Sequence, residues 1–232
     1  MDRTPYQLRQ LELMGQMSSI ANTTGATTTI VSMQSDYTND PQLCLAVVSY
    51  LPETIAEAIY TRIVGPLKTI EPDFYYFPKE SLHITIQNIR TVAMPPHFSQ
   101  SDIAAAGGVL QKAFGSAAPF TLDLTHVIRM PTSVMIAALA SPAYNTCITN
   151  LRTQLALAGV ADDKKYFTDE MVFANCTFCR YTHNPSQKFI EKIQEFADID
   201  IGKFIVQETC LITTNAGCHP SKTTVQGRYT LG

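Results

Sequence analysis

The chain has 232 residues, of which 45% are hydrophobic and 16% charged, and a formal net charge of -3. That length suits one bilobal domain or two small ones and is enough to bury a real core. The overall charge excludes a globally basic nucleic-acid-binding surface, so a nucleic-acid partner needs a local patch.

In chain order, residues 2–20 have Leu8, Leu11 and Met14 at helical spacing and predict a short helix. Residues 22–40 are rich in Thr, Ser, Asn and Asp and read as a loop, with an edge strand possible from Thr28 to Met33. The compact domain is expected from Pro41 to the end, with residues 1–40 a partly ordered extension. Leu43 to Tyr50 predicts a buried strand and Pro52 to Ile70 a helix, with Pro52 suited to its first turn. Ser81 to Arg90 alternates strictly and predicts a strand.

A helix follows from Ser101 to Phe114, with Ser99 or Ser101 as N-cap. Two strands are predicted at Phe120 to Ile128 and Val134 to Leu139, then a helix from Pro142 to Ala158 ending at Gly159. Met171 to Tyr181 predicts a strand, Pro185 to Phe196 a helix, and Gly202 to Thr213 and Thr224 to Leu231 the last two strands. The element order of the two halves is similar. The expected class is α+β: a bilobal pseudo-twofold fold of two antiparallel sheets with outer helices around a central groove.

Six cysteines are present, with no secretory leader pattern and no apolar run long enough to cross a membrane. They are expected to be free thiols in a reducing, cytoplasmic setting. On a regular strand the odd separation of Cys176 and Cys179 puts their thiols on opposite faces, so no metal or redox site is expected there.

The chemistry concentrates in Leu82-His83-Ile84-Thr85-Ile86-Gln87. Alternation sends Leu82, Ile84 and Ile86 to the core and His83, Thr85 and Gln87 to the other face. An imidazole that moves a proton and a hydroxyl that donates to a non-bridging oxygen, about 7 Å apart along a strand, suit one phosphoryl group. In Ala174-Asn175-Cys176-Thr177-Phe178-Cys179, the same reading groups Asn175, Thr177 and Cys179 on one face. If the lobes pack about a pseudo-twofold axis, His83, Thr85, Asn175 and Thr177 face one another across a groove.

These motifs, with Leu43 to Val48, Phe77 to Ile86, Phe120 to Leu124 and Val134 to Leu139 around them, resemble the two-histidine (2H) phosphoesterase superfamily. That superfamily includes 2'-5' RNA ligase-like proteins and cyclic nucleotide phosphodiesterases, and the resemblance covers residues 42 to 231. It implies a metal-independent, cofactor-free phosphodiesterase acting on a 2',3'-cyclic phosphate or a 2'-5' linkage of RNA or a nucleotide. It places His83 as general acid or base, Thr85 and Thr177 on phosphoryl oxygens, and Asn175 where the family has its second histidine. Asn hydrogen-bonds phosphate but exchanges no proton near neutral pH.

Three readings stay open: a phosphodiesterase relying on His83, one in which His183 or His219 takes the missing role, and a binder of a nucleotide or RNA end with little catalysis. Arg180 suits phosphate at the groove mouth. Tyr76 and Tyr181 are candidates for base stacking, and His219 lies in the connection before the last strand, where substrate loops often sit. Lys164-Lys165 reads as a solvated turn.

Overall fold

A computed structural model describes residues 3–23 and 28–232. Position 2 of the expected first helix and positions 24–27 of the expected loop lie outside the described residues. The first helix, α1 (Pro5–Thr23), begins and ends three residues later than expected and buries a different stripe: Gln10, Leu13, Met14, Met17 and Ala21. Leu8 is left exposed. The stripe turns because Gln10 docks as a polar anchor, its Oε1 accepting from the Ala140 N–H at 3.1 Å.

β1 (Leu43–Tyr50) is followed by α2 (Glu53–Ile59) and α3 (Gly65–Lys68), joined without a break by a wide π turn at Tyr60–Val64. Pro66 explains the widening. A proline ring collides with the carbonyl four residues back in a regular helix, and a π turn opens that space. β2 (Tyr75–Tyr76) and β3 (His83–Ala93) come next, then α4 (Gln100–Phe114). Ser99 starts α4 with a reciprocal cap: its Oγ accepts from the Asp102 N–H and Asp102 Oδ2 from the Ser99 N–H at 2.7 Å.

The rest is β4 (Phe120–Arg129), β5 (Ser133–Leu139), α5 (Pro142–Leu157), β6 (Ala174–Arg180), α6 (Gln187–Gln194), β7 (Asp200–Val206), β8 (Glu208–Thr214) and β9 (Thr224–Thr230). The strands form two antiparallel sheets, β3-β1-β8-β9 and β2-β6-β5-β4-β7. This is the bilobal α+β arrangement expected from the sequence, and one large apolar cluster runs through both lobes.

Two details differ. The single strand expected over Gly202 to Thr213 is two strands in different sheets. β7 is an edge strand with alternating burial, whereas β8 is buried between β1 and β9. Only Gln207 separates them, so the apolar pattern carries no visible break. The two-residue β2 crosses the other way, pairing first-half residues with β6 of the second sheet. No strand forms over Thr28 to Met33. That stretch is tied to residue 165 through the Thr29 N–H and the Thr28 hydroxyl, both donating to the Lys165 carbonyl.

The two motif strands carry the same irregularity. In β3, Thr85 pairs with Val48 and Gln87 with Val47, which leaves Ile86 as a bulge. In β6, Thr177 pairs with Met135 and Cys179 with Val134, which leaves Phe178 as a bulge. A bulge breaks the two-residue alternation. Gln87 and Cys179, expected on the groove face, instead sit opposite core residues and are buried at 1% and 0% exposure. Cys176 and Cys179 therefore share the core side, contrary to the regular-strand expectation, and both remain free thiols.

Candidate active site

His83 opens β3, and β3 runs beside β6. The residue is buried, with a relative exposure of 6%. Its Nδ1 lies 2.7 Å from the Ser81 carbonyl oxygen. A carbonyl only accepts, so Nδ1 carries the proton and Nε2 is the atom left to face the cavity. Nε2 meets the Cys218 sulfur at 3.8 Å.

The cavity in front of His83 has a volume of about 230 Å³, and Thr85, Asn88, Thr177, Lys164, Arg180 and Cys218 help line it. A neighbouring cavity of about 170 Å³ is lined by Asn175, Arg152 and Tyr166, and shares Thr177, Lys164 and Arg180 with the first. His83 and Asn175 thus line adjoining cavities rather than one. Asn88 and Arg180 reach the groove because each follows a bulge: past Thr85 and Thr177, the next groove-facing residue comes three positions on, not two.

The extension contributes to these walls. Thr29, Ile30 and Val31 line both cavities, and Ser32 and Gln34 line the first.

Charge in the groove is one-sided. Among the described residues no Asp or Glu lines either cavity, while Lys164 and Arg180 line both. Arg180 donates from Nε to the Ala216 carbonyl at 2.7 Å, and its guanidinium lies 5.8 Å from the Tyr37 ring centroid and 5.9 Å from that of Phe77. Among the described residues it forms no ion pair. Burial holds its pKa below the usual arginine value, though the group stays charged. Burial and the neighbouring Arg152 bring the Lys164 amine down to about 8.

In the lining of the second cavity, Arg152 stacks on Tyr166 at 3.8 Å and donates from Nε to Gln87 Oε1 at 2.8 Å. Gln87 Nε2 in turn donates to Asp162 Oδ2 at 2.9 Å. Gln87 is therefore a brace from β3 to α5 and the 162–166 segment rather than a groove residue.

Burial pushes the His83 pKa down, but the Cys218 sulfur and the Ser81 carbonyl outweigh it and the net shift is upward. For Cys218, burial pushes upward, and His83 and Arg180 with the Thr214 hydroxyl bring the thiol below its ordinary value.

Three candidates lie elsewhere. Tyr181 is fully buried and packs on Phe74 and Phe189, so no base can stack on it. Tyr76 donates its hydroxyl to the Glu71 carbonyl at 2.9 Å and lines neither cavity. His219 lines neither cavity, and its Nδ1 accepts from the Ser221 N–H at the start of the Pro220–Lys222 turn. His183, the other histidine considered for the missing role, pairs with Glu71 at 3.4 Å and also lines neither.

Lys164 and Cys218 were missed. The Asp-Asp-Lys-Lys run looks like any polar turn, and nothing local to Ala216-Gly217-Cys218 signals that the thiol meets an imidazole 135 residues away.

No protein-family model and no curated protein matches the chain. Solved structures do. A structure described as a phosphoesterase is 16% identical, with TM-score 0.57 over 82% of this chain and 98% of its own. TT0787 of Thermus thermophilus is 15% identical, with TM-score 0.58 over 81% and 97%. E. coli LigT complexed with ATP is 15% identical, with TM-score 0.56 over 82% and 98%. LigT has also been solved with 3'-AMP. The chain therefore has the fold of LigT and of the structure described as a phosphoesterase, the bilobal architecture expected from its two motif strands.

Proposed function

We propose that this protein is a 2H-type phosphodiesterase that opens a 2',3'-cyclic phosphate or a 2'-5' phosphodiester of RNA or a nucleotide without a metal ion. The observation that carries the reading is the pair of adjoining cavities with an imidazole and shared cations on their walls and no carboxylate among the described lining residues. A phosphodiester anion is the ligand such walls favour.

The phosphoryl group would sit where the cavities meet, at Thr177 and Arg180, with His83 on one side and Asn175 on the other. Thr85 and Thr177 donate to its non-bridging oxygens, and Arg180 and Lys164 balance its charge. His83, its tautomer set by Ser81, takes the proton of the attacking water through Nε2. Asn175 donates its amide to the ester oxygen but cannot protonate it. A strained cyclic phosphate suits this arrangement, because its leaving oxygen departs with less help. That LigT was solved with ATP and with 3'-AMP supports a nucleotide as the ligand class. Residues 41–232 would form the catalytic domain, with Thr29 to Gln34 of the extension completing its pocket.

The second reading, a nucleotide or RNA-end binder with little turnover, is favoured by Asn175 itself. Incubation with 2',3'-cyclic nucleotides and short 2'-5' oligomers in the presence of a chelator separates the two. Turnover that falls by roughly 10²–10⁴-fold in His83→Ala, the usual worth of one general acid or base, supports the enzyme. Binding without turnover supports the binder, and absence of both overturns the assignment.

A further inference from the structure

Cys218 stands apart from the other five cysteines. Cys176 and Cys179 are buried in the core, and burial pushes the Cys176 thiol to about 12 and that of Cys179 well above its ordinary value. Burial raises Cys44 to about 12 and also raises Cys147 and Cys210. Cys218 alone is lowered, and it lines the His83 cavity.

Its placement is held from several sides. The backbone at Cys218 is in the left-handed region, with φ 45°. Its N–H donates to the Asn215 carbonyl at 3.0 Å. The Asn215 side chain, fully buried, accepts from the His219 N–H at 3.2 Å and donates to the Tyr37 carbonyl at 2.6 Å. The Tyr75 hydroxyl donates to the Gly217 carbonyl at 2.9 Å. Gly217 is required there, because a Cβ would lie 2.9 Å from the Tyr75 ring. The fold thus fixes a turn that is strained for a non-glycine residue and presents its thiol to an imidazole and a cavity.

We propose that Cys218 and His83 form a thiolate–imidazolium dyad that makes Cys218 a site of covalent modification by hydroperoxides and other small soft electrophiles. The thiolate is the reactive form of cysteine, and a neighbouring cation raises its population near neutral pH. The sulfur pair attacks the terminal peroxide oxygen, the O–O bond breaks, and the departing alkoxide or hydroxide takes the Nε2 proton of His83. The products are a Cys218 sulfenic acid, neutral His83, and an alcohol or water. Thr177 and Arg180 lie on the same cavity wall and can orient the peroxide.

The inference does not need the phosphodiesterase reading; the charged dyad holds a proton on Nε2, so the general-base step proposed above starts from the neutral form of the pair, thiol with neutral imidazole. The test is the rate of iodoacetamide modification at each cysteine of the folded full-length chain, read by peptide mapping from pH 5.5 to 9.5. Cys218 is expected to react faster than Cys147 at pH 7, because the thiolate is the reactive form and the imidazole beside Cys218 raises its population. His83→Asn should move the midpoint of the Cys218 rate profile upward. After dilute peroxide, a dimedone adduct should map to Cys218 and be absent in Cys218→Ser. A Cys218 rate equal to that of Cys147 overturns the proposal, as does a peroxide-treated wild type without an adduct at Cys218. Should His83→Asn not fold, the ranking within the wild type decides alone. A reactive Cys218 without phosphodiester turnover keeps this inference and sinks the proposed function; turnover with an inert Cys218 does the reverse.

Discussion

Over His83 to Asn88 and Asn175 to Arg180, β3 and β6 follow one ladder pattern with two chemistries. Each pairs with its neighbour in the same register, skips one residue after its threonine, and presents the residue three places further on to the groove. Position by position, His83 answers Asn175, Thr85 answers Thr177, and Asn88 answers Arg180. The threonines are kept and the flanks diverge: the first strand brings the proton-exchanging group, the second brings the cation. Bulges at matched places let two ladders of the same register present different side chains at equivalent positions. The comparison also shows why the charge of this groove is asymmetric although its frame is not.

The sharpest way to break that comparison is to restore the symmetry it lacks. Asn175→His places an imidazole where the register puts the counterpart of His83. If the strands are functionally equivalent frames, cyclic-phosphate turnover should rise by roughly 10²-fold, the lower end of what one general acid contributes. Unchanged turnover in a folded variant would mean that the second frame does not face the reacting group.

The cation is the other half of the asymmetry. Arg180→Met keeps an apolar stem against Tyr37 and Phe77 and removes the guanidinium. Phosphate or nucleotide affinity, measured by calorimetry, should weaken by about 1.5–3 kcal/mol, the usual worth of a hydrogen bond to a charged group. Equal affinity would move the anion away from the shared wall.

A smaller effect tests Lys164. Its amine titrates near 8 because burial and Arg152 disfavour the charge. Raising the pH from 7 to 9 removes that charge, so anion affinity should fall about fivefold, as for about 1 kcal/mol of attraction at ~4 Å in a water-like medium. Lys164→Met should abolish the step. The same lowered value means that the unfolded chain holds this proton to higher pH than the folded one. The contribution of Lys164 to stability therefore rises as the pH climbs from about 8 toward the ordinary lysine range.

Much of this frame was legible in the sequence. Leu43–Tyr50 and Phe120–Arg129 announce themselves by apolar, β-branched runs, and the start of α4 by a serine N-cap, with the choice of Ser99 over Ser101 made only by the structure. The bulges were not legible. Ile86 and Phe178 are ordinary strand residues, and only the ladder shows that the alternation breaks at them. From that one hidden feature follow the misplaced Gln87 and Cys179. The β7–β8 crossing was hidden for a different reason: strand propensity records that a segment is extended and is silent about which sheet it joins. Lys164 and Cys218 were invisible because their roles come from partners distant in sequence.

Tyr181 carries the smallest prediction and closes the comparison, since it follows Arg180 directly on the β6 side. Arg180 points to the groove, and the next residue turns inward, packing its ring against Phe74 and Phe189. Its buried hydroxyl finds no hydrogen-bond partner among the described residues. A buried hydroxyl left unpaired costs free energy that a phenyl edge does not, by about 1 kcal/mol at the low end of the usual penalty. Tyr181→Phe should therefore unfold at equal or higher denaturant concentration than the wild type and leave phosphodiester turnover unchanged. A fall in turnover with stability preserved would show that the hydroxyl reaches a ligand after all, and that the groove extends further along β6 than its bulge allows.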